Sequence, residues 1–404
     1  MGLDSVTLHS KGAACYPLSV AVDAMADQGG MCMLKLTREG CIRRRNALLE
    51  RTDADLLVIA NPRHIQYLTG LYVTPLQLSA WGSSFLFIDG RSGEATLVVH
   101  NGLAPAAELA HADKVASWRS YDFTTLPGVD SYAAAIPELR KQLAPYAGER
   151  VGIEPGWFPF GVEVSDTVEI ASTLHDMRRV KDPDELVLLR EAMTANEAAH
   201  RAARELIRPG VTELDVYNAI HAAITNATGG PVLLLGDFAS GDRAETGGGP
   251  PTARTLKAGD LMILDIFPVV NGYRADNTAT LSVDRKLTPR QKAIEIGLNE
   301  ALTAGAETLR PGARAAEVYE VVRASLAEHD LAEGFTHHAG HGLGLGQPEA
   351  PYFVPSSDEV LRAGEVVTLE PGWYGEGTGA RIERNFLVTE AAPEMLSRHP
   401  TTFA

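Results

Sequence analysis

The sequence predicts two domains, an α/β domain followed by an α+β domain with an internal pseudo-twofold repeat, and three observations carry that reading. The 404 residues exceed the length at which a single hydrophobic core stops growing. Short apolar runs alternate with helical patterns through the first half. In the second half, IRPGVTELDVYNAI at 207–220 returns as LRPGARAAEVYEVV at 309–322, an offset of 102 residues.

Residues 1–33 read as an N-terminal extension in which Asp23 and Asp27, and the lack of a basic start, argue against a secretion signal. A helix is expected over 38–51, strands over 55–61, 84–89, 95–100 and 149–154, and a second helix over 132–146. Together they make the α/β domain, 34–175, which shows no evident cluster of catalytic groups. The charged run RRVKDPDEL at 178–186 opens the second domain, 176–404. There Asp182 can cap a helix, Pro183 suits its first position, and Glu185 completes a capping box. Each copy of the repeat then reads helix, Arg-Pro-Gly turn, helix, pairing Gly210 with Gly312 and Tyr217 with Tyr319. The glycine stands where a helix typically ends in a left-handed residue. A strand-rich segment follows each helix pair, at 260–282 and 335–390, and both carry candidate metal ligands, which puts a site on the pseudo-twofold axis.

Composition narrows the function. With 45% apolar and 22% charged residues the chain is neither disordered nor fibrous. A net charge of -16 argues against nucleic-acid and anionic-membrane partners, which need clustered Lys and Arg. No apolar stretch reaches the roughly 18 residues that span a bilayer. Cys15, Cys32 and Cys41 match no zinc or redox spacing and read as free thiols in a reducing, cytoplasmic compartment.

The chemistry lies in five residues: Asp265, Asp276, His341, Glu370 and Glu383. Asp265 ends the apolar run 261–264, where a buried carboxylate is unfavourable unless paired or metal-bound. Asn271-Gly272 signals a hairpin that would bring Asp276 back towards it. His341 lies among alternating glycines, which weaken a strand and imply close approach of backbone to a ligand or metal. Glu370 ends EVVTLE, and Glu383 sits mid-strand in ARIERNFLV, where alternation turns Arg381 to its face. Arg381 then either contacts substrate or makes an ion pair. His337 and His338 read as hydrogen-bonding supports or core histidines. Four carboxylates and one imidazole suit two hard or borderline divalent cations rather than a closed structural zinc site. Paired metals imply hydrolysis.

From about residue 34 to 395 the chain resembles the pita-bread metallohydrolases, and within them the prolidase and aminopeptidase P branch. NPRHIQYLTG at 61–70, RRVKDPDEL, GDLMILD with an Asp eleven residues on, GHGLGLG, EPGWY and RIE carry the resemblance. It implies a creatinase/prolidase-like N-terminal domain, a pita-bread catalytic domain and Xaa-Pro peptidase activity in a homodimer. It further implies that Asp265, Asp276 and Glu383 hold one cation and Asp276, His341, Glu370 and Glu383 the other. Manganese, cobalt, zinc or iron would serve, with Glu370 as general base towards a water activated between the metals. His337, Arg381 and Tyr374 match residues near the substrate, and His338 is an extra histidine beside them. Two positions depart from the pattern. Gly248 and Pro348 stand where these peptidases carry histidines, which leaves open a related enzyme acting on a small non-peptide metabolite.

Overall fold

In the first half each predicted apolar run becomes a strand: β1 (Leu56–Ile59), β2 (Ser84–Asp89), β3 (Ala95–His100) and β5 (Arg150–Ile153). The structure, a computed structural model, describes residues 35–76, 83–120, 124 and 131–404, so the expected extension at 1–33 lies outside the described residues. The helices are α1 (Arg38–Glu50), α2 (Pro62–Thr69), the single turn α3 (Ala104–Ala107), α4 (Ser131–Leu143) and α5 (Ala171–Arg179). Two further strands, β4 (Lys114–Trp118) and β6 (Asp166–Glu169), complete a six-stranded sheet in the order β4-β3-β2-β1-β5-β6. Both are edge strands whose sequences, KVASW and DTVE, contain no continuous apolar run of strand length, which hides them from a search for one. Polar edges also discourage further strand addition. The central strand β1 is buried throughout.

The second half opens with α6 (Pro183–Leu206), where the Asp182 N–H donates to the Glu185 carboxylate at 2.9 Å, as the capping sequence predicts. α7 (Glu213–Thr228) follows, and its counterparts one repeat later are α8 (Pro289–Thr308) and α9 (Ala315–Ala327). Gly210 and Gly312 both adopt left-handed backbone, with φ of 93° and 87°. The symmetry extends beyond the helices, because the residue two after each glycine bridges a later segment, Thr212 to Thr255 and Arg314 to Val360.

Each helix pair covers its own sheet. Leu188, Ala192, Val216 and Ile220 pack with Leu264 and Ile266, and Leu298, Ala301, Val318 and Val322 pack with Leu369 and Ile382. The first sheet is β7 (Leu233–Ser240), β8 (Leu261–Val270) and β10 (Asn277–Ser282), with the short β9 (Tyr273–Arg274) turning off β8. The second runs β12-β11-β13-β16-β17: β11 (His341–Gly342), β12 (Glu349–Tyr352), β13 (Val366–Leu369), β16 (Arg384–Leu387) and β17 (Glu394–Met395). The hairpin of β14 (Gly372–Gly375) and β15 (Thr378–Arg381) stands beside them. Cross-links join the two halves at the centre. The Asn385 amide donates to the Asp276 carbonyl at 2.6 Å, and the Glu383 N–H donates to the Thr278 carbonyl at 3.0 Å.

Helix α1 is tied to the start of α6 by Arg44. The guanidinium donates to Asp184 Oδ1 at 2.9 Å and Oδ2 at 3.2 Å, to Asp182 at 2.9 Å, and to the Tyr67 carbonyl at 2.7 Å. Arg44 and Asp184 are both buried, as is the free thiol of Cys41; Cys15 and Cys32 fall outside the described residues. Removing the cation leaves Asp184 buried without a charged partner, held only by the Thr37 N–H and hydroxyl and the Glu185 N–H. Arg44→Met is therefore expected to lower stability by about 3–5 kcal/mol, measured by urea denaturation; a loss below about 1 kcal/mol, the range of an exposed pair, would contradict this account.

Candidate metal centre

Strand β8 reverses through Asn271 and Gly272, both with positive φ (49° and 85°), as a type I′ hairpin turn requires, and pairs Val270 with Tyr273. Asp265 lies mid-strand, opposite Thr278 on β10 and Asp237 on β7. Asp276 precedes Thr278 by two residues and so shares the face that Thr278 shares with Asp265. Glu370 follows directly on β13. Glu383 is not mid-strand as expected; it occupies a two-residue break between β15 and β16. The break lets its carboxylate reach inward, where the Thr278 hydroxyl donates to Oε2 at 2.8 Å. Arg381 converges on the same threonine, its Nε donating to Thr278 Oγ1 at 3.3 Å.

His341 sits at an irregularity in the β11–β12 pairing. Its Nδ1–H is assigned as donor to the Gly342 carbonyl at 2.9 Å, which turns Nε2 towards Asp276 Oδ2 at 3.4 Å and Glu370 Oε1 at 3.6 Å. The alternating glycines were expected to admit a ligand or metal; Gly340 and Gly342 instead admit neighbouring backbone, and Gly344 and Gly346 the Glu349 carboxylate. A Cβ on Gly342 would lie 2.1 Å from the Ala350 carbonyl oxygen, and one on Gly340 2.1 Å from that of Thr368. Their absence of side chains lets the strands close around His341.

One potential ligand atom each from Asp276, His341 and Glu383 lies within 4.8 Å of the others, with all three residues buried, and His337, His338 and Glu370 form a second such group. Asp265 belongs to neither; its Oδ2 accepts from Arg381 Nη2 at 2.6 Å. Asp265 Oδ1 and Glu383 Oε1 are buried acceptors without a hydrogen-bond partner. Burial pushes the Asp265 carboxyl up to about 7, opposed by Arg381 and reinforced by Asp276 and Glu370. Burial, then Asp276, Asp265 and Glu370, push Glu383 well above the carboxylate range. Burial acts on Glu370 too, but the hydrogen bond from His338 and the charges of His338, His341 and His337 hold it well below that range. His341 is pushed up to about 9, because Asp276 and Glu370 outweigh burial. Crowded carboxylates with orphaned oxygens, beside an imidazole whose Nε2 faces them, fit divalent cations.

Around the ligands runs a chain of donors. Arg381 Nη1 donates to the Tyr374 oxygen at 2.8 Å, the Tyr374 hydroxyl is positioned to donate to His337 Nε2 at 3.0 Å, and His337 Nδ1 to the His338 carbonyl at 2.7 Å. Only His338 of this pair hydrogen-bonds a ligand, with Nε2 2.9 Å from Glu370 Oε1. Glu349, beside Pro348, is held by Arg178 and by Lys181 Nζ at 3.0 Å. The residue on the other side of Pro348 is the one that reaches the centre: the Gln347 amide donates to Asp276 Oδ2 at 2.5 Å. Sequence reading missed Gln347, Thr278 and Asp237. Asp237 carried the signal that exposed Asp265, a charge inside an apolar run; Gln347 and Thr278 carried none.

Comparison with known proteins places these features. Residues 187–390, just over half of the chain, match the model of Metallopeptidase family M24, and residues 42–179 match the Creatinase/Prolidase N-terminal domain. The protein named probable dipeptidase PepE of Mycobacterium tuberculosis is 36% identical over 219 residues, 54% of this chain and 58% of that protein. The match thus spans less than two thirds of this relative. Dipeptidase PepE from Mycobacterium ulcerans superposes with a TM-score of 0.74 at 27% identity, covering 91% of this chain and 98% of that one. The Xaa-Pro dipeptidase of Bacillus anthracis, 24% identical, shares the fold with a TM-score of 0.77 over 91% of this chain and 99% of its own.

The electrostatics predict how stability depends on pH. Asp265 and Glu383 hold protons more tightly folded than unfolded, so stability falls as pH rises from the ordinary carboxylate range through their raised values. His341 acts in the same direction, losing its contribution as pH climbs through about 9. Glu370 acts oppositely, but only during acidification. The increase in Tm that manganese gives over chelator-treated protein is expected to be larger at about pH 8 than at about pH 5.5. Calorimetric melts showing equal increments at both would refute this.

Proposed function

This chain belongs to metallopeptidase family M24, in its prolidase and aminopeptidase P branch, and on that premise we propose that it is a dinuclear-metal hydrolase of the Xaa-Pro peptidase type. The observation that carries the reading is the convergence of carboxylates from both repeat halves around Asp276, His341 and Glu383, with two oxygens left unpaired. Asp265, Asp276 and Glu383 would hold one divalent cation, and Asp276, His341, Glu370 and Glu383 the other, manganese being our choice over cobalt, zinc or iron. Such a pair supplies Lewis-acid polarisation and lowers the pKa of water.

The chain's own groups do the rest. Glu370, kept ionised by its histidine neighbours, serves as general base. His338 orients the Glu370 carboxylate through its hydrogen bond and stands beside it as a donor. Arg381, bound to Asp265 and Tyr374, holds the tyrosine and His337 in one chain at the edge of the ligand cluster. We assign substrate binding to His337, His338, Tyr374 and Arg381, and their places beside the cluster support the assignment. The matched family and relatives are peptidases by name, and those reported give no support to a non-peptide metabolite. We further propose a cytoplasmic homodimer built from domains 34–175 and 176–404. The acidic charge and the absence, among the described residues, of a helix long and apolar enough to cross a membrane agree with the cytoplasmic assignment.

Manganese-loaded protein is expected to hydrolyse Gly-Pro or Xaa-Pro-Xaa peptides; no turnover of any proline peptide would overturn the assignment. Glu370→Gln is expected to reduce kcat by about 10²–10⁴-fold, and His338→Ala by about tenfold or more, both measured at saturating metal. Unchanged kcat in His338→Ala would remove that residue from the mechanism.

A further inference from the structure

Asp237 is a carboxylate beside the ligands that the metal assignment does not use. It faces Asp265 across β7 and β8, which places it about one strand spacing, ~4.8 Å, outward from a ligand. Its side chain is 37% exposed, against 11% for Asp265. Oδ1 accepts the Gly249 N–H at 2.8 Å, and Oδ2 lies 3.4 Å from Arg381 Nη2. The same nitrogen is 2.6 Å from Asp265, so Arg381 is committed mainly to that partner. Asp237 is thus an anion facing solvent at the site's edge with its charge only partly matched.

The glycine loop at 247–249 is shaped around it. The Gly247 carbonyl accepts from Arg381 Nη1 at 2.8 Å, and a Cβ on Gly248 would lie 2.3 Å from Asp237 Cγ. No side chain fits at 248 while Asp237 holds its place. The histidine expected there from the resemblance is therefore excluded by a carboxylate, and the substrate side of the site gains a fixed negative charge.

We propose that Asp237 determines specificity by receiving the α-ammonium group of the substrate. This rests on the peptidase reading. A carboxylate in this position offers a charge-assisted hydrogen bond to an ammonium and repels a substrate carboxylate.

Calorimetric titration of the manganese-loaded protein with glycinamide and with N-acetylglycinamide tests it without turnover. The wild type is expected to bind glycinamide at least about tenfold tighter, a charged hydrogen bond's worth, and Asp237→Asn to abolish the preference. Asp237→Glu should retain it. Gly248→Ala should lose it, because the methyl displaces the carboxylate while φ at 248 stays outside the left-handed region; this variant decides the matter if Asp237→Asn does not fold. A wild type without preference, or an Asp237→Asn protein that keeps it, overturns the proposal. A preference that depends on Asp237 in a protein hydrolysing no proline peptide would leave the ammonium contact of Asp237 standing and remove the peptidase assignment instead.

Discussion

Mutual repulsion among Asp265, Asp276, Glu370 and Glu383 is the constraint to which the second half of the molecule answers. All four are buried, and taking several like charges out of water together is unfavourable unless each finds a compensating cation or donor. The fold supplies donors on every side: Arg381 to Asp265, Gln347 to Asp276, His338 to Glu370 and Thr278 to Glu383. Even so, two oxygens stay unmatched. The paired strands and the Asn385 and Thr278 cross-links keep the carboxylates from drifting apart to relieve the strain between their charges.

Most of this was legible in the residues, for identifiable reasons. Asp265 betrayed itself as a charge inside an apolar run, the Asn-Gly turn fixed the return of Asp276, and the repeat of Arg-Pro-Gly turns set the symmetry of the helices. Apart from Asp237, what escaped detection lacked a periodic or compositional mark. In the edge strands β4 and β6 polar residues interrupt the apolar ones, and several side chains meet solvent. The break at Glu383 looked like continuous strand, since Ile382 supplies the apolar residue that alternation expects. The glycines around His341 were read as space for a ligand, when crossing carbonyls claim that space. Gln347 lies far from Asp276 in sequence and is joined to it only by tertiary packing.

The departures from the family pattern acquire a physical meaning here. Beside Pro348, the site keeps a hydrogen-bond donor in the Gln347 amide, which is neutral and does not titrate. At Gly248 the exchange is larger, because a side chain there would collide with Asp237. The buried carboxylates and their supports are thus separable from the residues at the rim of the cluster. One set is fixed by charge balance in the interior, and the other is open to change at the rim.

The repeat makes the centre indivisible. Asp265 and Asp276 come from the strands that follow the first helix pair, and His341, Glu370 and Glu383 from those that follow the second. Neither half alone holds the full set of residues proposed for either cation. A chain carrying one half would complete the set only by meeting the other half, and joining the two in tandem makes that encounter permanent and independent of concentration.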